Sequence, residues 1–353
     1  MKILLSYKTQ NLIPYSFGEQ PKGGFIKLNT NEFPYPPSQA VGKVLAGFNS
    51  DLLRLYPDPN CSELVETIAK LEGVKKENVF VGNGSDEVLA FSFYALFDKT
   101  VAYPNIGYSF YPVYADFFGL KKVPLKMQDD LSFDILNHID SLKNACGLVL
   151  ANPNAPTSLS VEPNDLEKFV RGFKGNIIVD EAYIDFALKA KSVSKLAVEL
   201  DNLLVVKTLS KSYALAGLRC GYAVGNSEFI QGLHKVKNSF NSYTLDAIAQ
   251  SVAIASLQDR EYFNSTIKKT ITTREKIKNA LKTKGHFVLN SDANFLFIKH
   301  KYLDGEKVYS NLKAKNILVR HFNSNPLISP FVRVTIGTDS DMEQFMTAFN
   351  ALR

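Results

Sequence analysis

With 353 residues, 45% apolar and 22% charged, the chain has the make-up of a globular protein large enough to bury a sizeable core without disulfide or metal staples. The length suits two or three domain-sized units, or one large domain that carries a smaller one. A net charge of +6, spread along the chain with no run of like charges, suits anionic small molecules and lacks the concentrated basic stripe of a nucleic-acid binder.

Residues 1–8 are too short in apolar length for a signal peptide, and no later stretch reaches the roughly 18 apolar residues of a membrane span, so a cytoplasmic protein without a membrane partner is expected. Residues 1–40 read as irregular, broken by Pro14, Pro21, Gly23, Gly24, Pro34, Pro36 and Pro37. Within them residues 28–34 mix polar and aromatic side chains, as a surface lead-in or a substrate lid would. Helices are expected over 38–48 and 62–72, with Arg54-Leu55-Tyr56-Pro57 between them. Residues 78–81 read as a strand, then come the turn Gly82-Asn83-Gly84-Ser85-Asp86-Glu87 and an apolar helix over 88–97. A strand over 100–103 ends at Pro104, a Tyr/Phe-rich helix covers 108–118, and 122–125 is a short strand weakened by Pro124. Residues 132–144 are expected to be helical. Buried strands follow over 147–151, 177–179 and 203–206, with a tight loop over 152–158, a helix over 163–173, and Asp180-Glu181-Ala182-Tyr183 running on from the second strand. A further strand over 222–224 and a helix over 227–237 complete an alternation that argues for a mostly parallel sheet with helices on both faces.

A long polar helical region over 245–284 then bridges to a smaller α+β unit, with strands over 295–298, 317–319 and 332–336 and helices over 306–315 and 342–352. The expected division is an arm over 1–45 that joins the small domain, a large domain over 46–255, and a small domain over 256–353. Cys61, Cys146 and Cys220, odd in number and far apart, rule out a disulfide framework or a metal cluster of the usual spacing and fit a reducing compartment.

Polar groups stand just past the ends of the three buried strands: Asn152 and Asn154, Asp180, and Lys211. In an open parallel sheet that edge is where ligands bind. The Gly82–Asp86 turn adds a strand, glycine turn and helix start, where free N–H groups and the helix dipole favour an anion. Arg219 adds a planar donor suited to phosphate or carboxylate. Each feature alone has a plain reading: Lys211 a solvated loop lysine, the turn a capped helix start, Asp180 a helix cap, Tyr183 a packed aromatic. Their convergence carries the argument. An amine, a carboxylate and a phosphate cradle are the parts pyridoxal phosphate requires, with the carboxylate keeping the ring nitrogen protonated. The lysine must also be available as a neutral amine, which burial and cationic neighbours favour, so that it can shuttle a proton as general base and acid.

On Thr208-Leu209-Ser210-Lys211, Ala214-Leu215-Ala216-Gly217-Leu218-Arg219-Cys220-Gly221 and Asp180-Glu181-Ala182-Tyr183, the chain resembles the fold-type I pyridoxal phosphate enzymes, and among them the histidinol-phosphate aminotransferases and their close relatives. The likeness runs from Leu12-Ile13-Pro14-Tyr15 to Arg333-Val334-Thr335-Ile336-Gly337-Thr338. It implies an α/β large domain with a mostly parallel seven-stranded sheet and a smaller α+β domain. It makes Lys211 the Schiff-base lysine, Asp180 the partner of the pyridine nitrogen, Tyr183 the donor to the ring oxygen, and Tyr108 the ring's stacking platform. Gly84, Ser85, Asp86, Thr208, Ser210 and Arg219 resemble the phosphate cup, with Asn154 beside the ring. Tyr56 resembles a residue that reaches the phosphate of the neighbouring subunit's cofactor, which implies a homodimer. Arg333 resembles the clamp for the amino donor's carboxylate, while Arg320, Tyr15 and Asn31 resemble residues that handle the substrate.

The chain departs from the family where an asparagine ordinarily precedes Pro-Thr-Gly: here Ala155 precedes Pro156-Thr157-Ser158, so one hydrogen bond to the cofactor is lost or moved to Asn154. His321 and Phe322, after Arg320, are placed to reshape the acceptor site. The expected activity is transamination between glutamate and a phosphorylated keto alcohol, by resemblance the histidinol phosphate and imidazole-acetol phosphate pair of histidine biosynthesis. Two related activities use the same lysine and cup: amination of a smaller phosphorylated ketone such as dihydroxyacetone phosphate, and decarboxylation of a phosphoamino acid. Outside catalysis, a silent binding protein on the same fold would explain Ala155 but not the retention of Lys211, Asp180 and Arg219. No metal is expected.

Overall fold

The structure, a computed structural model, describes residues 5–139, 142, 145 and 147–353. Along the first part of the chain come α1 (Tyr7–Asn11), β1 (Ile26–Lys27), α2 (Gln39–Gly47), α3 (Ser62–Glu72), β2 (Val79–Gly82), α4 (Gly84–Leu96), β3 (Thr100–Pro104), α5 (Phe110–Phe118) and β4 (Lys121–Leu125). Next are β5 (Gly147–Ala151), α6 (Pro163–Gly172), β6 (Asn176–Asp180), α7 (Ser194–Glu199), β7 (Leu203–Thr208), β8 (Gly221–Gly225) and α8 (Ser227–Phe240). The remainder forms α9 (Ala247–Gln258), α10 (Arg260–Thr283), β9 (Phe287–Val288), β10 (Phe295–Lys299), α11 (Gly305–Lys313), β11 (Ile317–Leu318), β12 (Arg320–His321), β13 (Phe331–Thr335) and α12 (Asp339–Asn350).

The expected sheet is present. Its seven strands lie in the order β2-β8-β7-β6-β5-β3-β4. Only β8 runs against its neighbours, pairing antiparallel with both β2 and β7. Alternation along the central strands explains why they read as unbroken apolar runs. Val149, Ile178, Leu204 and Val206 face one hydrophobic cluster with Val88 and Leu89 of α4 and Tyr111 of α5. Leu148, Leu150, Ile177, Val179, Leu203 and Val205 face another with Leu166, Phe169 and Val170 of α6. Both faces are therefore covered, as parallel sheets require, and each fully buried aliphatic side chain contributes about 1.5–3 kcal/mol.

The smaller sheet, β12-β13-β10-β9, is antiparallel. The arm reaches it through β1, which pairs parallel with β11, so that Leu28 packs among Ile298, Val334 and Phe345. The arm is less irregular than its prolines suggest, since it carries α1 and β1. Pro124 does not weaken β4, because β4 is an edge strand and a missing N–H on the outer side costs no ladder bond. The long helical region splits at Asp259, whose side chain accepts from Tyr262 N and starts α10. The helix expected over 132–144 is represented by a short 3-10 turn, Ile135–His138; residues 140, 141, 143 and 144 of that expectation, Cys146, and residues 1–4 of the N-terminal reading lie outside the described residues. Among the described residues no helix is long and apolar enough to cross a membrane.

Candidate active site

The register of the large sheet sets the site. Asp180 is flush with Ala151 on one side and Val206 on the other, so the chains leaving β5, β6 and β7 emerge along one edge. Asp180 is 4% exposed; Tyr111 Oη donates to its Oδ2 at 3.0 Å and Ala182 N to its Oδ1 at 3.1 Å. Burial pushes its carboxyl up to about 6, against the pull of those two donors. Lys211, in the loop after β7, donates from Nζ to Thr30 O of the arm at 3.2 Å and lies 5.9 Å from the centre of the Tyr183 ring. Burial, and after it the nearby Arg333 guanidinium, lowers its amine from the usual 10.5 to about 8. A lysine so placed keeps an appreciable neutral fraction near neutral pH, as a nucleophile or base must.

An anion cradle lies beside this pair. Gly84 opens α4 with φ +78°, and a Cβ there would sit 2.6 Å from Arg219 Nη2. Gly221 on β8 is equally constrained, since a Cβ would meet Ser85 N at 2.4 Å. Glycine at both positions lets the first turn of α4, the Arg219 fork and β8 approach closely, with buried Thr208 and Ser210 on the same sheet edge; Thr208 Oγ1 accepts from Ser210 N at 3.1 Å. The Asp86 side chain faces away from an anion role. Its Oδ1 accepts from Tyr108 Oη at 2.8 Å and its Oδ2 from Arg219 Nη2 at 3.0 Å, which leaves its backbone N–H for the cradle and ties the Tyr108 ring to the arginine.

The arm closes the other side. Asn31, at φ 56°, donates from Nδ2 to Tyr183 Oη at 2.9 Å, and its own backbone is fixed by Thr335 Oγ1 and Asn294 Nδ2 at 3.0 and 3.1 Å. Arg333 Nη2 donates to Asn29 O at 3.0 Å and Arg320 Nη2 to Ser16 O at 3.3 Å, while Tyr15 stacks on Phe110 with ring centres 4.5 Å apart. Tyr111, Thr335 and Asn294 escaped sequence reasoning. Only the aromatic spacing of Tyr108, just before α5, and Tyr111, within it, offered a signal for the first, and nothing local marked the other two.

Two predicted residues stand apart. Tyr56 is 82% exposed, stacked on Tyr243 with ring centres 4.6 Å apart, and reaches no part of its own chain's site. Asn154 spends Nδ2 on Ile106 O and Thr157 Oγ1 at 3.1 and 3.0 Å, so that only its Oδ1, buried and without a partner, is free. Ala155 packs with Ala293, Phe295 and Tyr183, an apolar wall where an amide is expected.

The donor set fits pyridoxal phosphate. A depressed amine donates to one carbonyl, a buried carboxylate accepts from neutral donors with no cation among the described residues in ion-pair contact, and a glycine-lined helix start lies beside a guanidinium. Among the described residues no cluster of metal ligands occurs.

A family model for class I and II aminotransferases matches residues 24–349. A histidinol-phosphate aminotransferase of Brachyspira hyodysenteriae is 50% identical over 350 residues, covering 98% of each chain. One from Clostridium botulinum strain Okra is 46% identical over 343 residues, 96% of this chain and 95% of that one. Among solved structures, histidinol-phosphate aminotransferase from Sinorhizobium meliloti in complex with pyridoxal-5'-phosphate superposes with a TM-score of 0.87 at 21% identity, over 98% of this chain and 96% of that one. The enzyme from Clostridium acetobutylicum gives 0.84 at 24%, over 92% and 97%. At those two identities the likeness is one of fold.

Proposed function

The chain belongs to the class I and II aminotransferases, and from that premise we infer that it is a pyridoxal phosphate-dependent aminotransferase acting on histidinol phosphate and imidazole-acetol phosphate, with glutamate as amino donor, in histidine biosynthesis. The observation that carries the reading is the pairing of a depressed lysine with a buried carboxylate at the ends of adjacent parallel strands. The smaller phosphorylated ketone and the decarboxylation weighed from the sequence are not favoured, because curated relatives at 50% and 46% identity bear the one name.

Bound pyridoxal phosphate supplies an aldehyde to carry the amino group and a ring that withdraws electrons from the carbon losing its proton. The rest falls to the chain. Lys211 would hold the aldehyde carbon, and its Nζ, freed by substrate, would take up and return the proton. Asp180 would hold the protonated ring nitrogen, and that cation would offset the burial that raises the carboxyl. Tyr183, whose oxygen already accepts from Asn31, keeps its own proton for the ring oxygen. Tyr108, braced by Asp86, is the stacking platform. Gly84, Ser85, the backbone of Asp86, Thr208, Ser210 and Arg219 hold the phosphate. Asn154 lies in the same loop as Ala155, but with its Nδ2 spent on Ile106 O and Thr157 Oγ1 it offers the ring oxygen no donor, so the hydrogen bond that Ala155 cannot make is lost rather than moved. Arg333 clamps the donor's carboxylate, and Arg320, Tyr15 and Asn31 handle the far end of the substrate. In this reading a homodimer is the working form, with Tyr56 serving the phosphate bound by the partner subunit; its exposure and its bracing against Tyr243 support that role. A cytoplasmic setting is part of the same reading, supported by the unpaired buried thiols of Cys61 and Cys220.

The test is a half-reaction. Histidinol phosphate added to the holoenzyme should bleach the visible band of the bound cofactor, and borohydride should fix the cofactor on the peptide containing Lys211. If histidinol phosphate leaves the band unchanged while a smaller phosphorylated amino alcohol bleaches it, the substrate is wrong. A protein that takes up no pyridoxal phosphate would remove the enzyme reading altogether.

A further inference from the structure

β12 and β13 pair antiparallel with Arg320 directly opposite Arg333. Residues opposed in this way project from the same face with Cβ atoms about 5 Å apart, where like charges repel. Among the described residues no carboxylate lies within ion-pair distance of either guanidinium. Each is held by a single backbone carbonyl of the arm, and Arg333 Nε is buried without a partner. What lies against both is one ring. The centre of Phe322 is 5.4 Å from Arg333 Cζ and 5.7 Å from Arg320 Cζ, and the ring meets Phe297 nearly edge-on, with centres 6.3 Å apart at 65°. Phe295 flanks Arg333 from a second direction at 5.2 Å.

A ring face attracts a guanidinium electrostatically, and more strongly where water is excluded. Phe322 is half-buried and continuous with the apolar cluster of Phe297, Ile328 and Phe331, so its ring is fixed by packing. We propose that Phe322 is the positioning residue of the substrate's anion site, a shared aromatic support that holds Arg320 and Arg333 side by side with their forks open to one doubly charged group. The inference rests on the reading above that these two arginines take substrate anions. On that reading two guanidiniums held together against their repulsion gain more from a phosphate dianion than from a single carboxylate, so loss of the Phe322 support should show most with the phosphorylated substrate.

The experiment compares Phe322→Leu, Phe322→Tyr, Arg320→Ala and Arg333→Ala in the holoenzyme. It measures kcat and KM for histidinol phosphate and for glutamate, with calorimetry of inorganic phosphate binding as a readout independent of turnover. Phe322→Leu should raise KM for histidinol phosphate about tenfold, raise that for glutamate less, and weaken phosphate binding by a similar factor, with kcat within about twofold. Phe322→Tyr, which keeps the ring face, should stay near the parent enzyme. If Phe322→Leu does not accumulate as folded protein, Phe322→Met is read in the same way. Unchanged KM and phosphate binding in the leucine variant, with large losses in the arginine variants, would overturn the role of Phe322 and leave the arginine site standing. Unchanged values in the arginine variants as well would overturn the site itself. Equal losses in the tyrosine and leucine variants would also overturn the proposal, because the ring face would then not be what matters.

Discussion

Two lysines on one strand-to-loop run meet opposite fates. Lys207, the penultimate residue of β7, sits behind the sheet edge within 2.9 Å of Glu72 Oε1 and 3.5 Å of Glu181 Oε2. Those carboxylates are themselves held by Tyr222 Oη, Ser192 Oγ and Val193 N at 2.7, 2.6 and 2.7 Å. Burial works against the charge on Lys207, but Glu181 and Glu72 outweigh it and hold the amine well above its ordinary range. Lys211 is half-buried with no carboxylate among the described residues in ion-pair contact, and burial followed by the nearby Arg333 brings its amine down to about 8. Residue type and burial are nearly shared; the partners decide. A compensated buried charge is structural, and an uncompensated one is chemically available.

The largest expected effect separates the two by function. Lys211→Ala should lower kcat by at least about a thousandfold, since both anchor and proton shuttle are lost, while the thermal midpoint does not fall. Lys207→Met should do the reverse. Glu72 and Glu181 would be left buried without their cation, at a cost of about 3–5 kcal/mol, read as a midpoint lower by roughly 10 °C. Turnover per folded molecule should stay within a few-fold. Comparable stability losses in the two variants would break the contrast.

A pH series sharpens it. Between its folded value of about 8 and its usual 10.5, Lys211 binds fewer protons folded than unfolded, so its contribution to stability grows as pH rises through that window. Lys211→Met should therefore stabilise the cofactor-free protein at pH 7, and the gain should shrink towards nothing by about pH 10.5. Lys207 is shifted upward, so its contribution is complete throughout that window and is lost only as pH climbs above its unfolded value. Denaturant unfolding of both variants at several pH values checks this, and parallel curves would refute it.

The sheet edge was legible because it arises from local patterns. Apolar runs that give way to Asn154, Asp180 and Lys211 announce buried strands with polar groups at their ends, and Gly84 marks a turn whose glycine the Arg219 contact now explains. The partners were not legible. Nothing near Lys207 in sequence names Glu72, and nothing near Asp180 names Tyr111; both contacts depend on how helices cross the sheet. The Phe322 contacts with two arginines likewise need the register of β12 on β13, and a strand of two residues carries too little periodicity to be read. Ser194–Glu199, a short helix with no strong cap, was missed for a similar reason.

The smallest expected effect tests the comparison at the level of one hydroxyl. Tyr111 and Tyr222 are both buried, and each donates its phenolic proton to a carboxylate, at 3.0 Å to buried Asp180 and 2.7 Å to the largely covered Glu72. Phenylalanine preserves the shape of each, so either change should cost about 1.5–3 kcal/mol, the worth of a hydrogen bond to a charged group. Their consequences for chemistry should differ. Glu72 keeps Lys207, so Tyr222→Phe should leave pyridoxal phosphate affinity unchanged at every pH. Asp180 already has its carboxyl raised to about 6 by burial, and the Tyr111 donor is the main force opposing that rise. Losing that donor moves the titration upward, and affinity that depends on the ionised carboxylate should begin to fail at a higher pH in Tyr111→Phe than in the parent. Affinity measured between pH 5 and 8 reads the shift directly. If both variants show the parent's acid limb, Asp180 is not the group whose charge holds the cofactor, and the distinction between the two sides of the sheet edge fails with it.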